Sequence, residues 1–401
     1  MSFVLPKAVE NASAAIRCIE MHTTGEPTRI IYAGYPDLKG ALLEQRRIAQ
    51  AKYDHIRRQV ILEPRGHRDM YGAVLRHSTE LVDGGNADIG ILFMTNEGYS
   101  TMCGHATIAL GRFLVDCWDT KIFPSRPNLP FDAISKTTEV KLHLPCGLVV
   151  VTVPTLENGL EADSMRPVSF ISVPSFATGM NVRITVPEER KWAALQRKDS
   201  NEVTVDFAFG GTFYCMVDAK DLGAPEPLHG SHLTELNEAT RTIKELINEN
   251  ADLRAHCTHP DSTDLEFLYS IMVVYPNQGD PSPGAQGSET GACYFANQQI
   301  DRSPTGGAVA ARTALASAKG KLKVGESWTY HSLISASHHG HGSFTGRVVE
   351  ELASISANAP NARGIRVEVQ GSAYYTGEHR FVMEEGDLLG GSGFLIDNLG
   401  R

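Results

Sequence analysis

The sequence has no uninterrupted apolar run approaching the roughly 20 residues that a membrane helix needs, so a membrane partner is not expected. Its opening stretch, MSFVLPKAVENASAAIRC, carries no continuous apolar segment of the secretory kind, so a signal peptide is not expected either. Its seven cysteines (18, 103, 117, 146, 215, 257 and 293) are odd in number and form no CxxC pair. That pattern argues against a disulfide framework and for free thiols in a reducing, cytoplasmic setting. Neither a GxGxxG fingerprint with a spaced acid nor a Walker A motif is present, so no nucleotide cofactor is implied. Positive charge is short: 37 Lys and Arg stand against 47 Asp and Glu, a formal charge of −10. No nucleic-acid-binding surface is suggested by that balance, which mainly favours solubility.

What is present is an ordinary globular composition, 42% apolar and 21% charged, over 401 residues. At roughly 150 residues per domain this suggests two domains, or three. Cys18 to Gly34 reads as two strands about a Thr-Gly-Glu-Pro turn. Gln59 to Gly66 reads as a strand entering a Pro/Gly turn, and Ala87 to Thr95 as another strand. A polar loop follows, then an Ala-rich, apolar helix from about Cys103 to Cys117. Phe123 to Ile134 is Pro-punctuated loop, Val140 to Val153 and Val168 to Ile184 are strands, and Glu188 to Asp199 is a charged helical patch. The pattern restarts at Val203 with a strand, a Gly-Gly turn and a strand. An amphipathic helix over Leu233 to Asn250, a Gly/Pro/Ser loop over Asn277 to Gly291 and a second Ala-rich helix over Gly307 to Lys319 follow, with strands after Ser327.

Two stretches resemble one another. TMCGHATIALG and SPTGGAVAART align Cys103 with Thr305, Gly104 with Gly306 and Ala106 with Ala308, about half a chain apart. A repeat of domain size implies duplication of a domain. The expected fold is α+β: two similar domains of mostly antiparallel strands, each around a buried helix, with the site between them. The expected spans are 15–202, 203–385 and a tail, 386–401, that returns to the first half.

A helix start leaves amide N–H groups unpaired and carries partial positive charge, which suits a carboxylate. Two starts facing one carboxylate would stabilise the enediolate that forms when an amino acid loses its α-proton. A thiol at such a start, facing the ligand's carboxylate site, makes Cys103 a candidate base. The alternative is an inert cysteine that caps or packs its helix. Glycine at each start would let backbone approach the ligand closely.

At these residues the sequence resembles the proline racemase family, which includes proline racemases, hydroxyproline epimerases and trans-3-hydroxyproline dehydratases. The matching stretches are HTTGEPTRI from His22, EPRGHRDMYGA from Glu63, NEGYSTMCGHATIALGR from Asn96, DFAFGGTFY from Asp206, DRSPTGGAVAAR from Asp301 and GSAYYTG from Gly371. The resemblance implies the diaminopimelate-epimerase-like pair of domains and no cofactor. It places one of the family's two cysteines at Cys103. The second would fall at Thr305, where the sequence reads DRSPTGG in place of the racemase pattern DRSPCGT. A hydroxyl is far too weak an acid to replace the second thiol, so two-base racemisation is not expected. Family members with threonine at this position are typically dehydratases, so the resemblance implies dehydration of trans-3-hydroxy-L-proline to Δ1-pyrroline-2-carboxylate. In that substrate the α-hydrogen and the 3-hydroxyl share a ring face, so Cys103 alone can take the proton and return it to the leaving hydroxyl.

The resemblance further implies that backbone N–H groups of Gly104, His105, Gly306 and Gly307 hold the carboxylate. Asp301 and His105 would contact the ring nitrogen. Phe295 is a candidate wall for the ring, or ordinary core. Where the family has threonine, Gly307 keeps only a backbone donor. Two other readings stay open: a racemase or epimerase acting on proline or 4-hydroxyproline, and a non-catalytic amino-acid-binding protein. A homodimer is compatible with the sequence, which does not fix the oligomeric state.

Other features are set aside. His338, His339 and His341 lie in a Gly/Ser turn without metal-ligand spacing, and no metal is expected. Glu63, His67 and Asp69 are read as structural, near the site entrance. His22 and Glu26 are open between a supporting role and none. The cysteines at 117, 146, 215, 257 and 293 are read as structural, and Glu188 to Asp199 as a solvated helix face.

Overall fold

In the computed structural model, the described residues are 6–10, 15–198, 200–224 and 230–396. The two Ala-rich segments are helices, Gly104–Asp116 and Gly306–Ala318, and each is buried along nearly its whole length. A helix that is apolar all round can only sit inside a core. Alanine and glycine make that possible, because strands can then close on every side. Gly111 shows the tightness: a Cβ there would come within 2.5 Å of the Val151 side chain.

Eight strands surround each helix, and the order of pairing is the same in both halves. The first runs Ala373–Phe381, Ile16–Thr23, Glu26–Ala33, Gly72–Arg76, Ile89–Met94, Thr137–Leu144, Gly147–Pro154, Val168–Ile171. The second runs Phe176–Thr185, Glu202–Phe209, Phe213–Asp218, Leu268–Pro276, Ser288–Phe295, Ser327–His331, Phe344–Leu352, Gly364–Gly371. In both, the third pairing and the fifth are parallel and the others antiparallel. The fold is therefore α+β and internally repeated, mostly antiparallel around two buried helices.

The halves exchange strands. Phe176–Thr185 lies inside the 15–202 span but pairs with Glu202–Phe209, while Ala373–Phe381 lies inside 203–385 but pairs with Ile16–Thr23. Val168–Ile171 also pairs with Gly364–Gly371, joining the two sheets. The short helix Leu388–Ser392 packs beside Asp54–Ile61, and Glu63 bridges to Phe394. The end of the tail, 397–401, lies outside the described residues.

Two local expectations are corrected. Gln59 to Gly66 is not a strand: Gln59 to Ile61 end the helix Asp54–Ile61, which buries Arg57, Val60 and Ile61 on one face. Their 3–4 spacing outweighed the β-branched run. Glu188 to Asp199 is not one solvated helix face but a 3-10 turn, Glu188–Arg190, and a single helical turn, Ala193–Gln196. Trp192 is fully buried between them and donates its indole N–H to the Leu222 carbonyl. Asp199 lies outside the described residues.

Candidate active site

The two Ala-rich helices meet start to start. A Cβ on Gly104 would lie 2.3 Å from the Gly306 Cα, and one on Gly306 would lie 2.8 Å from the Gly104 Cα. The glycines therefore serve the approach of one backbone to the other. Gly307 has a related constraint, since a Cβ there would lie 2.4 Å from the Tyr214 hydroxyl. In the first helix the Ala106 N–H points to the Cys103 Sγ at 3.4 Å and the Thr107 N–H to the Cys103 carbonyl at 3.0 Å. In the second the Val309 N–H reaches the Thr305 carbonyl at 2.8 Å. The amides of Gly104, His105, Gly306 and Gly307 come earlier in each first turn, where a helix offers them no partner of its own.

Cys103 is the N-cap of its helix, so its sulfur performs the capping role that an inert cysteine would. Its other contacts are chemical. Sγ lies 3.2 Å from Nδ1 of His105 and 3.5 Å from Nε2. His105 Nδ1 in turn lies 3.7 Å from Oδ2 of Asp301, which belongs to the other half. Burial disfavours the charged imidazole, but Cys103 and Asp301 outweigh it and hold the pKa of His105 well above its ordinary value. A proton is thus kept between a sulfur and a carboxylate.

Thr305 sits at the matching position of the second helix and behaves differently. Its φ is +63°, a left-handed conformation rare for a β-branched residue, and it makes no side-chain cap. Such strain typically costs about 1–3 kcal/mol and is held only where surroundings enforce it. Here the Thr305 N–H binds Ser303 Oγ at 3.1 Å, and the Thr305 hydroxyl donates to Asp301 Oδ2 at 2.8 Å. The Ser303 N–H binds Asp301 Oδ1 at 2.7 Å. The hydroxyl is turned from the helix amides, which leaves that positive end uncapped for an anion.

Aromatic rings close the site. Phe295 is 1% exposed and stacks on Tyr269 with centroids 5.5 Å apart. Tyr71 links it to His105, tilted against Phe295 at 6.2 Å and edge-on to His105 at 4.7 Å. The Tyr71 hydroxyl bonds Ser100 Oγ at 2.6 Å. Phe295 is thus both core and a neighbour of the site. Tyr71 and Tyr269 were not singled out from sequence; Tyr71 stands in EPRGHRDMYGA, and that stretch was the available signal. Cys103, His105, Asp301 and Thr305 are all 6% exposed or less, so the centre is shielded from bulk water.

The remaining candidates fall around this centre. Asp69 pairs with Arg302 at 2.9 Å, tying the EPRGHRD stretch to the DRSP stretch. Glu63 bridges to Phe394, and the ring of His67 accepts the Asp69 N–H. The ring of His22 accepts the Gly25 N–H at 3.0 Å. Glu26 is fully buried and accepts the Arg302 N–H at 2.8 Å. His338, His339 and His341 are exposed, and among the described residues they form no convergent ligand set. Such a set does occur at Cys18, Glu20 and His379. Oε1 of Glu20 already accepts from Arg29 at 2.5 Å, with Cys18 Sγ at 3.3 Å and His379 Nδ1 at 3.2 Å. Burial first, and Glu20 second, push the Cys18 thiol up to about 12. That cluster is a hydrogen-bonded hub with its cation supplied by arginine.

A buried thiol, a charged imidazole and a carboxylate beside two helix starts can remove a proton next to a carboxylate group and stabilise the resulting charge. Comparison with known proteins agrees with this chemistry. The family model described as proline racemase matches residues 18–394. The chain is 39% identical over 386 residues to the trans-L-3-hydroxyproline dehydratase of Bos taurus, covering 95% of each. It is 39% identical over 379 residues to the trans-3-hydroxy-L-proline dehydratase of Homo sapiens, covering 94% of each. A solved hydroxyproline epimerase from Agrobacterium vitis, with bound trans-4-hydroxy-L-proline, superposes with a TM-score of 0.76 over 96% of both chains at 21% identity. At that identity the match speaks to the fold.

Proposed function

This chain belongs to the proline racemase family, and we propose that within it the protein is a trans-3-hydroxy-L-proline dehydratase. The observation that carries the reading is the asymmetry of the helix starts: a thiol at Cys103 and a threonine at Thr305 whose hydroxyl is bonded to Asp301. One face of the ring has a base and the other has none.

The substrate carboxylate binds to the amides of Gly104, His105, Gly306 and Gly307, where both helix ends favour negative charge. Asp301 accepts from the ring nitrogen, with the His105 ring held 3.7 Å from its carboxylate. The Cys103 thiolate takes the α-proton, and the carboxylate becomes an enediolate held by the same amides. The C3–O bond then breaks on the face where the α-proton left. Cys103 returns its proton to the departing hydroxyl, water is formed and the thiolate is restored. The enamine product tautomerises to Δ1-pyrroline-2-carboxylate. Every electron pair stays within substrate and side chains. Phe295 and Tyr71 line the ring and keep water away from the carbanion. The abundance of free thiols supports a reducing, cytoplasmic location; no helix among the described residues is long and apolar enough to cross a membrane.

The test is turnover of purified protein on trans-3-hydroxy-L-proline without additives, beside proline and trans-4-hydroxy-L-proline. Formation of Δ1-pyrroline-2-carboxylate from the first alone is expected. Inversion of the other two without dehydration of the first would replace this reading with the epimerase one. Tight binding with no turnover of any would leave only a binding protein.

A further inference from the structure

Glu26 stands at the start of the strand Glu26–Ala33, in the turn that reaches from the first half to the second. It is completely buried. Its Oε2 accepts the Arg302 N–H at 2.8 Å, and its Oε1 has no hydrogen-bond partner. A buried polar atom left unpaired typically costs about 1–3 kcal/mol. The atom lies in the electrostatic neighbourhood of the site, since Asp301 and His105 act on the Glu26 carboxyl most strongly after burial itself.

Asp301, the acceptor expected at the ring nitrogen, is already shared with protein donors. Asp301 Oδ1 takes the Ser303 N–H and Asp301 Oδ2 takes the Thr305 hydroxyl. A pyrrolidine amino acid presents a secondary ammonium with two N–H bonds in a dry site, and each needs an acceptor. Asp301 already shares each oxygen with a protein donor, whereas Glu26 Oε1 is buried, unpaired and within the electrostatic reach of Asp301, so it is the acceptor left free for the second N–H.

We propose that Glu26 is a substrate-binding residue whose Oε1 accepts one N–H of the ring ammonium alongside Asp301. This rests on the substrate class put forward above. It carries a proton balance. Burial, then the charge of Asp301, hold the Glu26 carboxyl well above the usual carboxylate range, so in the empty site it keeps its proton. The groups around it are Asp301 and Arg302 from the DRSP loop, His105 from the first Ala-rich helix and Cys293 from the strand Ser288–Phe295. When the ammonium arrives, the O–H bond of Glu26 breaks, its proton leaves to solvent and the carboxylate pairs with the ammonium. The substrate nitrogen keeps both of its hydrogens.

The experiment is calorimetric titration of the full chain with L-proline, which lacks the 3-hydroxyl and so cannot be dehydrated. It is run at pH 7 in phosphate and in Tris, whose protonation heats differ. For the unmodified protein the apparent binding heat should differ between buffers by the heat of releasing up to one proton. E26Q should bind at least tenfold more weakly and show the same heat in both buffers. E26D keeps the carboxyl one methylene further back, and should bind more weakly while still releasing a proton. Should E26Q fail to fold, as judged by thermal melting, E26D decides. Unchanged affinity and proton release in E26Q, or loss of proton release in folded E26D, would overturn the role of Glu26. Absence of any binding of L-proline or trans-3-hydroxy-L-proline to the unmodified protein would instead sink the substrate class, and this role with it.

Discussion

The Thr305 hydroxyl donates to Asp301 Oδ2 at 2.8 Å, across from the face where Cys103 lies 3.2 Å from the His105 ring. The oxygen that replaces a second thiol has its hydrogen directed at a carboxylate. It neither accepts an α-proton nor has one to spare for the substrate. Chemistry is thus concentrated on Cys103. Replacing Cys103 by serine should lower turnover of trans-3-hydroxy-L-proline by 10³-fold or more, around the range of a lost general base. Binding of pyrrole-2-carboxylate, a planar mimic of the deprotonated ring, should persist. A C103S enzyme with wild-type turnover would remove the thiol from the mechanism.

Thr305→Cys puts a thiol where the racemase pattern has one. Proton exchange from both faces then becomes chemically possible. The expected gain is slow exchange of the α-hydrogen of proline in D2O with loss of optical purity, while dehydration declines. The decline follows from losing the bond that holds Asp301. If T305C shows no exchange, the left-handed conformation at this position keeps the new sulfur from the α-carbon.

His105 gives a pH dependence whose sign can be worked out. Its pKa is raised in the folded protein: burial opposes the charge, but Cys103 and Asp301 more than compensate. A raised folded value means the charged ring stabilises the protein fully below its unfolded pKa, near 6.5, and this is lost as pH rises through the folded value. The stability gap between the unmodified protein and H105Q, measured by urea unfolding, should be constant below about pH 6 and shrink above neutrality. A gap that widens with rising pH would mean the ring is neutral in the folded state.

That Cys103, His105, Asp301 and Thr305 come together was legible because they sit at breaks in local pattern. Two Ala-rich apolar runs, each opened by a glycine after Cys103 or Thr305, could only be buried helices with their starts near a loop. What was not legible is set by contacts distant in sequence. That Phe176–Thr185 and Ala373–Phe381 cross to opposite halves follows from pairing, which local composition does not encode. Gln59 to Ile61 looked like a strand because residue type was read without the face that packs. The part of Tyr71 depends on a ring contact with His105, 34 positions along the chain. Local sequence also does not show that Gly104 and Gly306 make room for each other's backbone, since that contact joins the two halves.

That last contact supports a prediction separating architecture from chemistry. Alanine at Gly104 or Gly306 adds one methyl directed at backbone of the other half, at 2.3 Å and 2.8 Å from the nearest Cα. Backbone cannot rotate away as a side chain can, so the helix starts must part. Overpacking of this kind typically costs about 1–3 kcal/mol, a visible drop in melting temperature. The effect on turnover should be larger in proportion, because the amides of both starts must converge on one carboxylate and a shift of about 1 Å can cost 10²-fold in rate. Gly111→Ala is the control. It is just as crowded, 2.5 Å from Val151 Cγ1, but lies two turns from the site against a side chain. It should lose comparable stability and keep most of its activity. Equal losses of activity in G104A and G111A, at matched stability, would mean the meeting of the helix starts serves folding alone.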